Sequence, residues 1–117
     1  MNYLLIGAMS GCLVVIMGAF GAHALNELLD DYGKSIYNKA VLYHMFHSIA
    51  ILILGLINKI QPEIPLSMSG WSFVIGIILF SGSLYMLAIT GIKLLGIITP
   101  IGGILFIIGW VLLFLKV

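Results

Sequence analysis

Residues Gly18–His47 read GAFGAHALNELLDDYGKSIYNKAVLYHMFH. This stretch closes one long apolar run, crosses a polar connection and opens the next apolar run. It holds all three histidines of the chain, His23, His44 and His47, and three of its four acidic residues, Glu27, Asp30 and Asp31. Tyr32, Tyr37 and Tyr43 lie here too. Elsewhere the sequence is almost wholly hydrocarbon, glycine and small hydroxyl side chains. A chemically active place, if there is one, is therefore expected to be built from this stretch.

The composition around it sets the class. Of 117 residues, 62% are hydrophobic and 8% charged, with a mean hydropathy of +1.26. Soluble domains carry about 25% charged residues, so this chain cannot coat a water-facing surface. The expectation is an all-α, integral membrane four-helix bundle forming a single domain over residues 1–117, with the lipid bilayer as its surroundings. The basic residues are Lys34, Lys39, Lys59, Lys93 and Lys116. They are scattered and nearly balanced by acids, which excludes a nucleic-acid patch and a polybasic lipid anchor. Cys12 is the single cysteine, so neither an internal disulfide nor a cysteine metal cluster can form.

Outward from the opening stretch, four spans are expected at about 3–22, 36–57, 70–89 and 94–115, each close to the roughly 20 residues that cross a bilayer core. Ser10-Gly11-Cys12 and Ala22-His23-Ala24 look like processing sites, but no basic region precedes them, and the first span is read as retained. Between the first two spans, Leu25, Leu28 and Leu29 among Asn26, Glu27, Asp30 and Asp31 suggest a short amphipathic segment at the interface. Gly33 is expected to end it, and Ser35 to cap the second span. Pro62 and Pro65 interrupt the second loop, and Trp71 opens the third span at the interface. The fourth span either begins near Leu94 and kinks at Pro100, or begins at Pro100 with Thr99 as its cap. The apolar run Leu94–Ile98 favours the longer, kinked helix. Lysines divide too evenly between the two sides for the positive-inside rule to orient the chain.

Helices in lipid associate through close packing at small residues and through interhelical hydrogen bonds. Gly7, Gly11 and Gly18 in the first span, Ser72, Gly76 and Ser83 in the third, and Gly102 and Gly109 in the fourth are the expected contacts. Packing within the chain is favoured over a homo-oligomer seam. Cys12 is read as inert packing in mid-membrane.

Alternating direction brings one set of polar groups to one leaflet. His44 and His47, three apart, share a helix face. His23 ends the first span at the level where the second begins, Ser81, Ser83 and Tyr85 come late in the third, and Thr99 opens the fourth. With Tyr43 these form the candidate cluster: His23, Tyr43, His44, His47, Ser81, Tyr85 and Thr99. Four readings stay open. The cluster could pin helices by hydrogen bonding, the ordinary use of such groups. Alternatively, His23, His44 and His47 could bind zinc or copper, His23 could face His44 or His47 across a haem, or histidine and tyrosine could hold a quinone or lipid headgroup. No phosphate loop, nucleophile elbow or paired catalytic carboxylates accompany them. Transport is disfavoured because the midplane reads as dry.

The motifs GAFGAHAL (Gly18–Leu25), Tyr43-His44-Met45-Phe46-His47, FSGSLY (Phe80–Tyr85) and ITPIGG (Ile98–Gly103) resemble the domain-of-unknown-function 423 family, which includes transmembrane protein 256. The resemblance covers essentially the whole chain, with Gly21, His23, Tyr43, His47, Tyr85, Pro100 and Gly102 at family motif positions. It implies four spans and a bacterial cytoplasmic membrane, and it assigns no activity. The expected function is a small non-enzymatic membrane protein, an accessory or assembly subunit for a membrane partner, with ligand binding at the cluster as the alternative.

Overall fold

The computed structural model describes residues 1–117 and contains helices and connections without a strand. Helix α1 spans Tyr3–His23, and the Asn2 side chain caps it by accepting the Leu5 N–H at 3.1 Å. Helix α2 runs Asp31–Ile60, helix α3 occupies Ser67–Thr90, and helix α4 covers Thr99–Lys116. All four are long and apolar enough to cross a membrane, the fourth together with the turn before it, over Lys93–Lys116.

Three boundaries differ from expectation, each for a local reason. The connection after α1 does bury Leu25, but it makes only one helical turn, in which Leu28 N and Leu29 N both bond to Leu25 O. Helix α2 then starts five residues early. Asp30, in extended backbone, accepts the Gly33 N–H at 2.6 Å, so Asp30 and not Ser35 is the cap, and Gly33 sits inside the helix it was expected to precede. A carboxylate at this position also complements the helix dipole. Asp30→Ala is therefore expected to cost about 1 kcal/mol, read by denaturant unfolding in detergent, whereas Ser35→Ala should change nothing measurable.

The fourth span settles the choice at Pro100. Lys93–Ile97 winds as a 3-10 helix, and α4 begins at Thr99 with Pro100 in its first turn. The span as a whole runs Lys93–Lys116, close to the longer expectation, but it enters through the 3-10 turn and not as one kinked α-helix. Proline is well placed at a helix start, because its missing N–H would have had no partner there. Gly91 makes the preceding turn in the left-handed region, φ 71°.

The third boundary effect is internal. Helix α3 is α-helical over Ser67–Gly76 and Ser83–Thr90, but Ile77–Gly82 widens into a π-helix. Such turns carry one extra residue and recur at functional sites.

Helices α2 and α3 form the centre. Helix α1 packs chiefly on α2, and α4 packs on α3. The result is a flattened bundle, 48 × 26 × 17 Å. Glycines set the close approaches. A Cβ at Gly7 would lie 2.8 Å from Leu52, at Gly76 2.5 Å from Phe106, and at Gly109 2.6 Å from Phe73. At Gly102 it would overlap the backbone N of Phe80. Gly18 makes only an ordinary contact with Val41, and a Cβ on Gly11 would meet nothing within 4 Å, so Gly11 is not a packing residue in this chain. Cys12 is exposed toward the bilayer, not packed. The core has two parts, one around Ile51, Leu54, Phe73 and Phe106, the other around Ile36, Tyr37, Leu84 and Tyr85.

Candidate functional site

The early start of α2 fixes the depth of its histidines. His44 lies about 20 Å from the first residue of α2 at 1.5 Å per residue, near the middle of that 30-residue helix. Its neighbours come from α1 and from the last turns of α3. His44 Nδ1 is 2.9 Å from the Tyr85 hydroxyl, and Nε2 is 3.1 Å from Ser10 Oγ. Ser10 Oγ is 2.6 Å from Ser48 Oγ, and Ser48 donates to the His44 carbonyl at 2.7 Å.

The directions of these bonds follow from what each group can do. A carbonyl only accepts, so the Ser48 hydrogen is committed to it. Ser10 must then donate to Ser48, which leaves Ser10 Oγ to accept from His44 Nε2–H. His44 Nδ1 accepts from Tyr85. Three helices are thus joined by one directed chain through a neutral imidazole.

His47 has the opposite arrangement. Trp110 Nε1–H can only donate, and it reaches His47 Nε2 at 3.0 Å. His47 Nδ1–H donates to the Tyr43 carbonyl at 2.8 Å. The ring lies flat on Phe106, with centroids 3.5 Å apart and planes 6° from parallel. His44 should therefore be the Nε2–H tautomer and His47 the Nδ1–H tautomer. Imidazole 15N chemical shifts of labelled protein in nanodiscs are expected to give two opposite neutral patterns. A single shared pattern, or two imidazolium rings, would contradict the bond directions.

The other expected members divide. Ser81 Oγ donates to Ala40 O at 2.8 Å, and Ser83 joins Thr99 at 2.6 Å while bonding Phe80 O at 3.0 Å. Tyr85 meets Tyr37 edge-on at 5.1 Å, and Tyr37 donates to Met17 O at 2.6 Å. Gly21 makes room for the Tyr37 ring. His23 is exposed at the end of α1 and joins none of these bonds. The three-histidine metal set is not formed: no group of three His, Cys, Asp or Glu side chains gathers anywhere. His44 and His47 also diverge, because three residues of helix turn them toward different neighbours, and all four of their ring nitrogens are engaged by protein groups. A metal or haem iron would have to displace those partners. Ser10, Ser48 and Trp110 are members that the sequence reading missed. Ser10 and Trp110 are polar groups inside apolar runs, and their depth along α1 and α4 matches that of His44 and His47.

Two clefts flank the central helices. One, about 680 Å³, lies between α2 and α4 across α3. Tyr43, Phe46 and His47 of α2, Phe80 of α3, and Phe106 and Trp110 of α4 give it aromatic walls, and it extends along α4 to Pro100. From Pro100 to Trp110 is roughly 15 Å of helix. The Tyr43 ring rests on Phe80 at 4.6 Å. Its hydroxyl has no hydrogen-bond partner within the chain, and the residue is 39% exposed. The other cleft, about 520 Å³, lies between α1 and α3 and is lined by Ile6, Met9, Leu13, Ile16 and Ile78, with Ser10 and His44 also reaching it.

Four apolar spans in alternating directions, joined by buried polar bonds, define a polytopic integral membrane protein. The family model "Protein of unknown function (DUF423)" matches residues 17–103, and the chain belongs to that family. A UPF0382 membrane protein of Staphylococcus aureus is 47% identical over 114 residues, covering 97% of this chain and 93% of the relative. The UPF0382 membrane protein YwdK of Bacillus subtilis is 39% identical over 112 residues, covering 95% and 91% respectively. No solved structure matches the chain. Of the residues at family motif positions, Gly21, Tyr43, His47, Tyr85 and Gly102 take part in these contacts, Pro100 lines the larger cleft, and His23 stands outside them.

Proposed function

We propose that this protein is a non-enzymatic binding protein of the bacterial cytoplasmic membrane, and that the α2–α4 cleft takes up a lipid-soluble molecule from the bilayer. The observation carrying this reading is an aromatic-walled cleft of about 680 Å³ containing a tyrosine hydroxyl without a protein partner. That volume lies within the range of small-molecule sites, about 300–1,000 Å³. A phenol hydroxyl among hydrocarbon gains from any acceptor that reaches it. The non-enzymatic part rests on the engagement of all ring nitrogens of His44 and His47 by protein groups. The test is extraction of bound lipids from protein purified in mild detergent. One apolar species should be enriched toward one copy per chain and lost when Gly103→Leu fills the cleft. A lipid profile identical for both forms would end the proposal.

A second reading, an accessory or assembly subunit for a membrane partner, is favoured by the near absence of extramembrane mass. With four spans and short connections, the chain offers other proteins mainly apolar helix faces. Crosslinking in native membranes should then capture a second protein in fixed proportion; recovery of the chain alone would count against it.

A further inference from the structure

We infer that the α2–α4 cleft selects a flat, conjugated ring bearing carbonyl acceptors, the chemistry of a quinone head, in preference to an alkyl chain; this rests on the cleft-binding reading above. The molecule supplies its own comparison. Both clefts flank the central helices and have similar volumes, about 680 and 520 Å³, yet their walls differ in kind. The α1–α3 cleft is walled by isoleucine, leucine and methionine, which suits any alkyl chain and adds no selectivity over the surrounding lipid. The α2–α4 cleft gathers six π systems: Tyr43, Phe46, His47, Phe80, Phe106 and Trp110.

Aromatic walls gain more from a flat ring than from a flexible chain, through offset stacking and edge contacts beyond the area buried. These walls are also held in position. His47 is fixed at both nitrogens, by Trp110 and by the Tyr43 carbonyl, and it is stacked on Phe106. A prearranged wall loses little freedom when a ring arrives. The hydroxyl of Tyr43 is the one polar group of the cleft left free to donate, and a ring carbonyl is an acceptor. Gly103 keeps the entrance low: a Cβ there would touch only the Phe80 ring, at 3.7 Å. An isoprenoid or alkyl tail would leave through the open side into lipid. The contact is binding alone and includes no electron transfer.

Trp110 at the deep end reports occupancy by fluorescence, since quinones quench indole emission. Trp71, 52% exposed at the start of α3, is removed with Trp71→Phe so that Trp110 is the only emitter. The full chain in phosphatidylglycerol vesicles is titrated with 2-methyl-1,4-naphthoquinone, and in parallel with lipid brominated on its acyl chains. The expected result is saturable quenching by the naphthoquinone. Gly103→Leu should abolish it and Gly11→Leu, which faces open space, should leave it unchanged. Tyr43→Phe should weaken it roughly 3- to 10-fold, the loss of one hydrogen bond.

Quenching that rises linearly and equally in the Gly103→Leu form overturns the quinone assignment. If brominated chains then quench Trp110 in a Gly103-dependent manner, the cleft binds lipid chains, and only the ring selectivity fails. If neither quencher depends on Gly103, the cleft-binding reading fails with it. Should Gly103→Leu not purify as a monodisperse species, Tyr43→Phe decides: unchanged affinity rejects the inference.

Discussion

Replacing Gly102 by alanine is expected to destabilise the protein by about 3 kcal/mol, the upper part of the usual overpacking range. The reason is the identity of what the new methyl would strike. At Gly7, Gly76 and Gly109 the nearest opposing atoms belong to side chains, and no backbone atom comes closer than Leu52 N, 3.0 Å from a Cβ at Gly7. At Gly102 they are backbone, Phe80 N and Leu79 C, the latter at 2.8 Å. Relief would require α3 and α4 to separate along the interface that carries Phe73, Gly76, Phe106 and Gly109. Unfolding in mixed micelles, followed by circular dichroism, provides the measurement. Gly11→Ala is the matched control, since nothing lies within 4 Å of its new methyl and alanine favours helix over glycine by about 1 kcal/mol. Equal stabilities for the two variants would contradict the packing described here.

The second large effect is at His44. His44→Ala removes the two ring bonds that tie α2 to α1 and α3, leaves the Tyr85 hydroxyl buried without a partner, and opens a void. An orphaned buried polar group costs about 1–3 kcal/mol. With the void, a loss of roughly 3 kcal/mol is expected. A double-mutant cycle separates the contributions. Tyr85→Phe should cost clearly less in the His44→Ala background than in the native one, by about 1 kcal/mol, within the range measured for interhelical bonds in membranes. Strictly additive losses would mean that the 2.9 Å contact contributes nothing. His23→Ala, at the exposed end of α1, should be silent in the same assay.

These two sites also show what could be read from the chain and what could not. Four spans were legible because charge and length leave a segment such as Tyr3–His23 no other solution in lipid. The participation of His44, Tyr85, Ser81 and Thr99 in buried polar contacts was legible from topology, because alternating directions bring their ends together. The start of α2 was not, since either Asp30 or Ser35 can cap a helix. The separation of His44 from His47 was missed because residues three apart share a face only loosely, and packed neighbours on two sides are enough to divide them. Trp110 was passed over because tryptophan in a span was read only as an interfacial marker. Its indole N–H, deep in an otherwise apolar run, needed an acceptor, and His47 at matching depth supplies one. The π-helix left no trace in composition, since Ile77–Gly82 differs in no obvious way from its flanks.

That widened turn has a consequence for how the chain can change over generations. The backbone at Leu79 and Phe80, inside the π-helical turn, lies against α4 where Gly102 leaves space for it. The widened turn in one helix and the missing side chain in the other are therefore two halves of one contact. A lineage that lost the insertion would be released from glycine at position 102. A lineage that lost the glycine first would come under pressure to shorten α3 by one residue. Substitution and deletion, each harmful alone, should compensate when they occur together.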